Sequence, residues 1–344
     1  MSIIKTLHQI INNSIYQLIN QIMIRSGLSK RSQQLSRLIS EYCLRDGKRI
    51  RSTLFSLSYL NRMVSPCKNF FTGAAALELF HLFALIQDDV IDNSDTRRAM
   101  PSLHKIIGSF YGNIPEKKAQ DLAIIFSDIL YSAAMEAFLQ IEEQPGKKEM
   151  ALKTILNSAV DTGSGQFLEL HYSLQNFEVF TLDDVYEIYD RKTGRYTFCG
   201  PLAAGAQLAG ANESEIEALH LIGLYMGRAY QIYDDLCDCS NVDLSIGFPS
   251  DIVENRKTIL VWHLINYGPP EAKRAIEELN SNRSEKSISS LLGMFERYGS
   301  LQFASEQMSC LCEKAFAALT DSWFQNGSEH IKKFITELIY FNTR

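Results

Sequence analysis

The sequence lacks a Cys-x-x-Cys pair, although seven cysteines are spread along its 344 residues. Disulfide frameworks belong mostly to short secreted chains, and structural zinc sites need matched sets of cysteine and histidine. Two Cys-x-Cys pairs, at positions 237/239 and 310/312, have no histidine beside them and give only weak support to a zinc site. We therefore expect reduced thiols in a cytoplasmic protein.

An excess of basic residues is also missing, since 34 lysines and arginines are outnumbered by 40 aspartates and glutamates, for a formal net charge of −6. Binding to nucleic acids regardless of sequence requires a broad basic surface, so we expect no nucleic-acid partner. The chain also lacks an uninterrupted run of about 20 apolar residues, the length of a membrane-spanning helix. We therefore expect no transmembrane segment.

Prolines are few, and alternating strand patterns are absent. The eight prolines stand at positions 66, 101, 115, 145, 201, 249, 269 and 270. In the long intervals between them, apolar residues recur at three- and four-residue spacing, which predicts helices. The predicted helices are 2–24, 31–45, 49–63, 68–95, 116–141, 147–178, 182–208, 213–238, 256–267, 270–281, 285–298, 301–324 and 328–341. No segment has the composition of a linker, so we predict one all-α domain over residues 1–344, a helical bundle around a central apolar cavity.

Two Asp-Asp-x-x-Asp motifs stand at the ends of apolar helices, one at Asp88-Asp89-Asp92 and one at Asp234-Asp235-Asp238. Residues four apart share a helix face, so the outer aspartates of each motif project together. Crowded carboxylates destabilise a helix unless a cation compensates them. Mg²⁺ suits such a place, because it takes one or two carboxylates together with water and substrate phosphate oxygens. A single motif is typical of a solvated helix end, but two copies favour a magnesium site.

Basic clusters lie close to these motifs and could balance the charge of a diphosphate. They are Lys48 with Arg51, Arg97 with Arg98, Lys192 with Arg195, and Arg256 with Lys257. Guanidinium groups bind phosphate oxygens in pairs, and lysine acts as a point charge. Lys48 and Arg51 are three residues apart, so we expect that they can share one helix face. Each cluster alone is typical of a solvated surface, but their positions around the acidic motifs favour a phosphate-containing substrate.

In these features the sequence resembles the trans-prenyltransferases, the head-to-tail polyprenyl diphosphate synthases, over about residues 40 to 260. The matching elements are Gly47-Lys48-Arg49-Ile50-Arg51, Glu78 and His81 before the first motif, Arg97-Arg98, Gly165-Gln166, Lys192-Thr193, and Tyr230 to Asp238. The resemblance implies an isoprenoid-synthase fold, a homodimer and a Mg²⁺-dependent enzyme. Such an enzyme condenses isopentenyl diphosphate with dimethylallyl, geranyl or farnesyl diphosphate, gives a longer all-trans prenyl diphosphate and releases diphosphate.

The resemblance also implies a role for each motif residue. Three Mg²⁺ ions would be ligated mainly by Asp88, Asp92 and Asp234, with Asp89, Asp235 and Asp238 ligating or assisting. The allylic diphosphate would be bound by Arg97 and Lys192, with further positive charge from Arg256 and Lys257. Isopentenyl diphosphate would be held by Lys48, Arg51, His81 and Arg98. Catalytic roles fall to Arg97, Lys192, Thr193 and Gln231, of which Thr193 and Gln231 would stabilise the allylic cation through oxygen dipoles.

The chain departs from the family pattern at several positions. Asp46-Gly47 replaces Gly-Gly, and Ser52 replaces proline. Gly-Lys pairs expected near 247 and before Thr258 read Gly247-Phe248 and Asn255-Arg256-Lys257 here. We expect these changes to alter the affinity for the allylic substrate and to leave the reaction intact.

Product length should depend on the residues one and two turns before Asp88, namely Phe80, Phe83 and Ala84. In the family that the sequence resembles, a bulky aromatic residue five positions before the first aspartate shortens the product. Phe83 is bulky and Ala84 is small, so we expect geranylgeranyl diphosphate slightly ahead of farnesyl diphosphate. The alternative for both phenylalanines is ordinary core packing.

Two other functions fit parts of the sequence. A class I terpene cyclase also has an aspartate-rich helix, but it usually carries an Asn/Ser/Glu metal motif in second place. A non-catalytic regulatory subunit of a prenyl synthase would be expected to lose carboxylates, and both motifs are complete here.

Overall fold

The computed structural model describes residues 3–112, 114–175, 180–239, 248–281, 284–320 and 328–340. Most of these residues are helical, which confirms the predicted all-α fold. The helices up to residue 139 are α1 (Ile3–Arg25), α2 (Leu28–Arg31), α3 (Gln33–Cys43), α4 (Ile50–Leu60), α5 (Phe70–Ile91), α6 (Leu103–Tyr111) and α7 (Glu116–Leu139). Those that follow are α8 (Pro145–Ser173), α9 (Leu182–Tyr189), α10 (Gly200–Leu208), α11 (Glu213–Cys239), α12 (Ser250–Val253), α13 (Ile259–Tyr267), α14 (Pro270–Ser281), α15 (Glu285–Arg297), α16 (Ser300–Thr320) and α17 (Ser328–Tyr340).

Three local features differ from the sequence prediction. Two-residue antiparallel strands, β1 (Thr96–Arg97) and β2 (Met100–Pro101), form a hairpin that is too short to show strand alternation. Helix α6 was not predicted. The predicted helix 182–208 consists of α9, a π-helix (Asp190–Cys199) and α10. A π-helix has a wider turn than an α-helix, a difference that hydrophobic spacing does not reveal.

The chain divides into two compact units, and the first comprises Met1–Leu152 and Ala204–Gly210. Its centre is α5, which is apolar on nearly every side and contacts α1, α4 and α7. Three aromatic rings of α4 and α5 stack where these helices meet, with ring centroids of Phe55 and Phe70 5.1 Å apart and those of Tyr59 and Phe70 4.2 Å apart. Phe70 is the first residue of α5, so this cluster fixes the N-terminal end of the helix, and the first acidic motif lies at its other end.

The second unit comprises Lys153–Ala203 and Ala211–Arg344. Its centre is α11, which contacts α16 and the π-helix. Gly227 of α11 and Gly194 of the π-helix allow a close approach, because a Cβ on Gly227 would lie 2.2 Å from the Gly194 Cα. This backbone contact fixes the π-helix, which carries Lys192 and Thr193, against the helix of the second acidic motif. The prediction of one domain over residues 1–344 stays a prediction.

Two helices in the described part of the chain, α5 and α7, are long and apolar enough to cross a membrane by length and composition. In the most apolar 18-residue window, 61% of α5 and 39% of α7 is buried inside the protein. Core helices pass the same test, so the finding is weak evidence for a membrane span. The expected absence of a transmembrane segment also stays a prediction. All seven cysteines are free thiols, with Cys237 and Cys310 exposed.

Candidate active site

Both acidic motifs lie where a helix ends. Asp92 is the residue that caps α5, with its backbone N–H donating to the Asp88 carbonyl at 2.9 Å, and Asp238 lies in the last turn of α11. The C-terminal end of a helix carries partial negative charge, so carboxylates there are unfavourable by themselves. A cation at either place would relieve both the helix-end charge and the mutual repulsion of the carboxylates.

In the first motif the middle aspartate is held by protein groups. Asp89 is buried and accepts hydrogen bonds from Arg97 Nε at 2.7 Å and Tyr42 Oη at 3.4 Å. Burial raises the pKa of Asp89, and the hydrogen bond from Arg97 opposes that rise. Asp88 is half-buried and pairs with Arg97 Nη2 at 3.3 Å. Arg97 therefore bridges two carboxylates, and both oxygens of Asp89 have a protein donor.

The hairpin after the first motif turns through two residues in the left-handed region, Arg98 with φ 56° and Ala99 with φ 57°. A two-residue loop of this kind normally uses asparagine and glycine, so Arg98 and Ala99 do not mark the turn in the sequence. Arg98 Nη1 donates to the Arg45 carbonyl at 2.8 Å, and Arg45 Nη1 donates to the Arg97 carbonyl at 3.1 Å. The Arg98 guanidinium also lies against Gly47, where a Cβ would be 2.7 Å from Nη2. The backbone after α3 thus fixes the position of the hairpin.

Several guanidinium groups act on His81 of α5. Burial and the charges of Arg51, Arg98, Arg97 and Arg49 lower the pKa of His81 well below its usual range. The imidazole is therefore neutral at pH 7 and can donate or accept a hydrogen bond. Three of the four residues predicted to hold isopentenyl diphosphate, Arg51, His81 and Arg98, are thus electrostatic neighbours.

The fourth residue, Lys48, is placed differently from the prediction. Helix α4 begins at Ile50, and Arg49 before it is left-handed with φ 47°. Lys48 is therefore outside the helix and exposed, and the predicted helix face shared with Arg51 is wrong. The left-handed residue turns Arg49 itself inward, where its Nη1 lies 3.5 Å from Glu78 Oε2 and both side chains are 3% exposed.

In the second motif a chain of hydrogen bonds ends on the middle aspartate. Thr193 Oγ1 donates to Gln231 Oε1 at 2.6 Å, and Gln231 Nε2 donates to Asp235 Oδ1 at 3.1 Å. Tyr189 Oη donates a short hydrogen bond to Asp235 Oδ2 and accepts one from the Ile259 backbone N–H at 2.9 Å. Burial raises the pKa of Asp235, and the bonds from Tyr189 and Gln231 oppose that rise. The predicted residues Thr193 and Gln231 are in contact, whereas Tyr189 was missed because a tyrosine beside a buried carboxylate has no local signature.

Cations and carboxylates alternate beside the second motif. Lys192 Nζ pairs with Glu169 Oε2 at 2.6 Å, and Arg256 Nη1 pairs with Asp251 Oδ1 at 3.1 Å. The backbone N–H of Asp251 donates to Asp238 Oδ2 at 3.0 Å. Burial raises the pKa of Asp251 to about 6, with Asp238 and Glu169 adding to the rise and Arg256 opposing it. Sequence patterns did not single out Asp251.

The segment before α13 explains one departure from the family pattern. The helix begins at Ile259, three residues later than predicted, and Arg256 and Lys257 belong to the preceding loop. Asn255 adopts φ 54°, a left-handed conformation that asparagine tolerates and that glycine adopts freely. Burial lowers the pKa of Lys257 to about 8. Phe248 is exposed, and Gly247 lies outside the described residues.

The residues predicted to set product length belong to an aromatic cluster. Phe80 and Phe83 of α5 have ring centroids 5.6 Å apart, and each approaches Tyr131 of α7, at 5.7 Å and 5.2 Å. Phe80 is buried, whereas Phe83 and Ala84 are half-buried. The sequence did not identify Tyr131, because no motif marks α7.

No group of three or more His, Cys, Asp and Glu side chains is arranged to hold a metal ion within the described residues. Each motif instead offers carboxylate oxygens at a helix end beside groups that can bind phosphate. These oxygens fit Mg²⁺, which usually completes its coordination with water and substrate phosphates.

A model of the polyprenyl synthetase family matches residues 32–294. The chain belongs to the polyprenyl synthetase family. It is 30% identical over 285 residues to a short chain isoprenyl diphosphate synthase of Methanothermobacter thermautotrophicus, covering 82% of each chain. It is 28% identical over 315 residues to a geranylfarnesyl diphosphate synthase of Natronomonas pharaonis, covering 86% of this chain and 87% of the relative. By family, therefore, the protein is a prenyltransferase.

Solved structures of polyprenyl synthetases share the fold. A geranylgeranyl pyrophosphate synthetase from Pyrococcus horikoshii is 25% identical with a TM-score of 0.78, covering 98% of this chain and 97% of the other. A geranylgeranyl pyrophosphate synthase from Corynebacterium glutamicum, complexed with isoprenyl diphosphate and magnesium, is 22% identical with a TM-score of 0.83. The alignment with the latter covers 96% of this chain and 98% of the other.

The buried pair of Arg49 and Glu78 in this polyprenyl synthetase gives a stability prediction. Replacing Glu78→Gln removes the charge that compensates Arg49 in the interior, so we expect the free energy of unfolding to fall by about 3 kcal/mol. Urea denaturation followed by circular dichroism measures the change. The control is Glu142→Gln, which removes an exposed ion pair with Lys68 and should cost less than about 1 kcal/mol. Equal losses in the two variants would contradict the prediction.

Proposed function

We propose that the protein is a Mg²⁺-dependent prenyl diphosphate synthase that condenses isopentenyl diphosphate with an allylic diphosphate. The observation that carries the proposal is the interleaving of cations with both acidic helix ends. Arg97 bridges Asp88 and Asp89, and Arg256 and Lys192 flank Asp251 and Glu169. Such sites attract both a divalent cation and the phosphate oxygens that complete its coordination.

Asp88, Asp92 and Asp234 would hold magnesium, which when bound neutralises the diphosphate and makes it a better leaving group. The magnesium in the solved C. glutamicum synthase supports this choice. Arg97, Lys192, Arg256 and Lys257 would then bind the remaining phosphate oxygens of the allylic substrate. The bound metal relieves the carboxylate repulsion at the helix ends, so substrate and metal should bind cooperatively.

Isopentenyl diphosphate would occupy the cationic group around His81, with Arg51 and Arg98 as guanidinium partners and Lys48 as an exposed point charge. The low pKa of His81 keeps it neutral there, so it serves as a hydrogen-bond donor without adding a further positive charge. As the allylic C–O bond breaks, its electron pair leaves with the diphosphate. Thr193 and Gln231 would stabilise the resulting cation, and the alkene of isopentenyl diphosphate then attacks it. The new cation, on the isopentenyl unit, loses a proton to the released diphosphate, which forms the double bond of the product.

The reaction is tested with the pure protein, Mg²⁺, labelled isopentenyl diphosphate and each of the three allylic primers, followed by chromatography. A longer prenyl diphosphate is expected, and its formation should stop on removal of Mg²⁺ with EDTA. A hydrocarbon product from the allylic primer alone would identify a terpene cyclase. Absence of product from protein that binds the primer would identify a regulatory subunit.

We propose geranylgeranyl diphosphate as the main product, slightly ahead of farnesyl diphosphate. The support is the aromatic cluster, in which Phe83 and Phe80 are backed by Tyr131 while the small Ala84 leaves room beside them. Replacing Phe83→Ala should lengthen the main product by at least one isoprene unit, because it removes a bulky ring from the path of the tail.

The matched control for this variant is Phe303→Ala, which removes another half-buried phenylalanine from a cluster with Trp262 and His263 on α16 and α13. Its product distribution should equal that of the wild type. Reversed-phase chromatography of the dephosphorylated products measures both. An unchanged product with Phe83→Ala would show that Phe83 is a plain core residue.

We also propose that the enzyme is a homodimer. Two exposed apolar residues of α8, Val160 and Phe167, lie seven residues apart on one stripe of its surface, and the exposed Leu174 follows directly after the helix. A stripe of this kind is typical of a helix face covered by another chain.

Sedimentation should give about twice the monomer mass of 39.0 kDa, and Phe167→Glu should give monomers. Val64→Glu, at an exposed position outside the stripe, should stay dimeric; a monomeric wild type would refute the proposal.

A further inference from the structure

We propose that Tyr189 and Asp235 are positioning residues that orient the Thr193 hydroxyl, so that its oxygen and not its proton is presented to the allylic cation. This inference rests on the proposed function and assigns a role to the middle aspartate of the second motif that differs from metal ligation. It also assigns a role to Tyr189, which belongs to none of the motifs.

The direction of each hydrogen bond follows from what the groups can donate. Each oxygen of Asp235 has a donor, with Tyr189 Oη placed on Oδ2 and Gln231 Nε2 on Oδ1. The amide nitrogen of Gln231 therefore faces Asp235, and its oxygen faces Thr193 at 2.6 Å. Because an amide oxygen only accepts, Thr193 must donate its single proton to Gln231. The lone pairs of Thr193 Oγ1 are what remain for a ligand.

Tyr189 fixes the other end of this chain. The backbone N–H of Ile259, the first residue of α13, donates to the phenol oxygen at 2.9 Å. That contact leaves the phenol proton for Asp235. Tyr189, Asp235 and Thr193 are all buried, with 4%, 1% and 8% of their surfaces exposed. Gln231, which joins Asp235 to Thr193, is half-buried. Reversing a bond in this series would leave a polar group of a buried member unsatisfied, so the order is held from the backbone to Thr193.

The packing of α11 on the π-helix brings Gln231 of the one helix to Thr193 of the other. Gly194 follows Thr193 directly, and Gly227 precedes Gln231 by one helical turn. The close contact between these two glycines brings the backbones of the two helices together beside the hydrogen bond from Thr193 to Gln231.

The orientation matters for the chemistry of prenyl transfer. When the allylic C–O bond breaks, positive charge develops on the allyl carbons. A lone pair pointed at that charge stabilises it, whereas a hydroxyl proton would repel it. Since the dipole is fixed before the charge develops, no reorganisation is needed during the reaction.

The decisive variant is Asp235→Asn, which has the same shape but can also donate. Its amide nitrogen would face Gln231 and make Gln231 turn its oxygen toward position 235 and its nitrogen toward Thr193. The Thr193 proton would then point toward the substrate. We expect kcat to fall about 100-fold, with KM for both substrates and the Mg²⁺ concentration at half-maximal activity changed by less than about twofold. A large rise in that Mg²⁺ concentration would identify Asp235 as a metal ligand and overturn the proposal.

A binding measurement separates orientation from general damage to the site. The probes are a non-reactive allylic thiolodiphosphate, which is uncharged at the allyl group, and an analogue with an ammonium group in place of the carbon that becomes positive. Calorimetry with Mg²⁺ should show that Asp235→Asn weakens binding of the ammonium analogue at least tenfold more than binding of the neutral one. Equal losses for both probes would overturn the proposal.

Tyr189→Phe removes one donor to Asp235 and should lower kcat about tenfold with KM unchanged. The matched control is Tyr172→Phe, which removes a tyrosine hydrogen bond of 2.8 Å to Asp184, a carboxylate outside both motifs, and should leave kcat unchanged. If Asp235 acts through Thr193, then Asp235→Asn should lower kcat much less in a Thr193→Val protein than in the wild type. The fold-loss in kcat should be less than about a tenth of that in the wild type. Fully additive effects would contradict the inference.

The outcomes for the proposal and for the proposed function are distinct. A wild-type protein that makes no prenyl diphosphate contradicts the function. A wild-type protein that makes the product, but in which Asp235→Asn binds the ammonium analogue normally, contradicts only the inference.

Discussion

Repulsion among carboxylates at the C-terminal ends of α5 and α11 is the constraint on which the rest of the site depends. Each helix ends with partial negative charge, and each carries three aspartates in its last turns. The fold tolerates this arrangement because the middle aspartate of each motif is buried among protein donors, while Asp88 pairs with Arg97 and Asp238 accepts from the Asp251 backbone N–H. A folded protein of this kind stores electrostatic free energy that a divalent cation and a diphosphate can release on binding.

The compensating cations are placed by backbone conformations that local propensity does not favour. Arg49, Arg98 and Asn255 all adopt the left-handed region, and each lies in a loop beside a predicted phosphate-binding residue. Strain at functional sites persists only where the surrounding structure determines it. Here the determining contacts are the Arg49–Glu78 ion pair and the carbonyl of Arg45, which accepts hydrogen bonds from Arg98 and Arg49. Basic side chains are thereby held in place before any ligand arrives.

The sequence predicted the features that depend on helical spacing, and it missed those that depend on tertiary contact. The all-α fold follows from periodicity. The family resemblance pointed to Thr193 and Gln231 for one shared role, and the contact between them became visible only in the structure. The helix face that Lys48 was expected to share with Arg51 is wrong, because Arg49 is left-handed and α4 begins only at Ile50. The hairpin at 96–101 was missed because Arg98 and Ala99 are not the residues that normally mark such a turn. Tyr42 and Tyr189 carry no signal, since a tyrosine beside a distant aspartate looks like any other buried aromatic residue.

The contacts of these two tyrosines show how the aspartates within one motif come to differ in their chemistry. Tyr42 donates to Asp89 and Tyr189 donates to Asp235, so each middle aspartate has a buried phenol as a partner from another helix. In both motifs an arginine or glutamine supplies a second donor, which leaves few lone pairs of the middle carboxylate for a metal. The outer aspartates are half-buried at the helix surface. In each Asp-Asp-x-x-Asp motif of this protein, the helix period that groups the outer carboxylates on one face therefore directs the middle one into the core, where protein donors hold it.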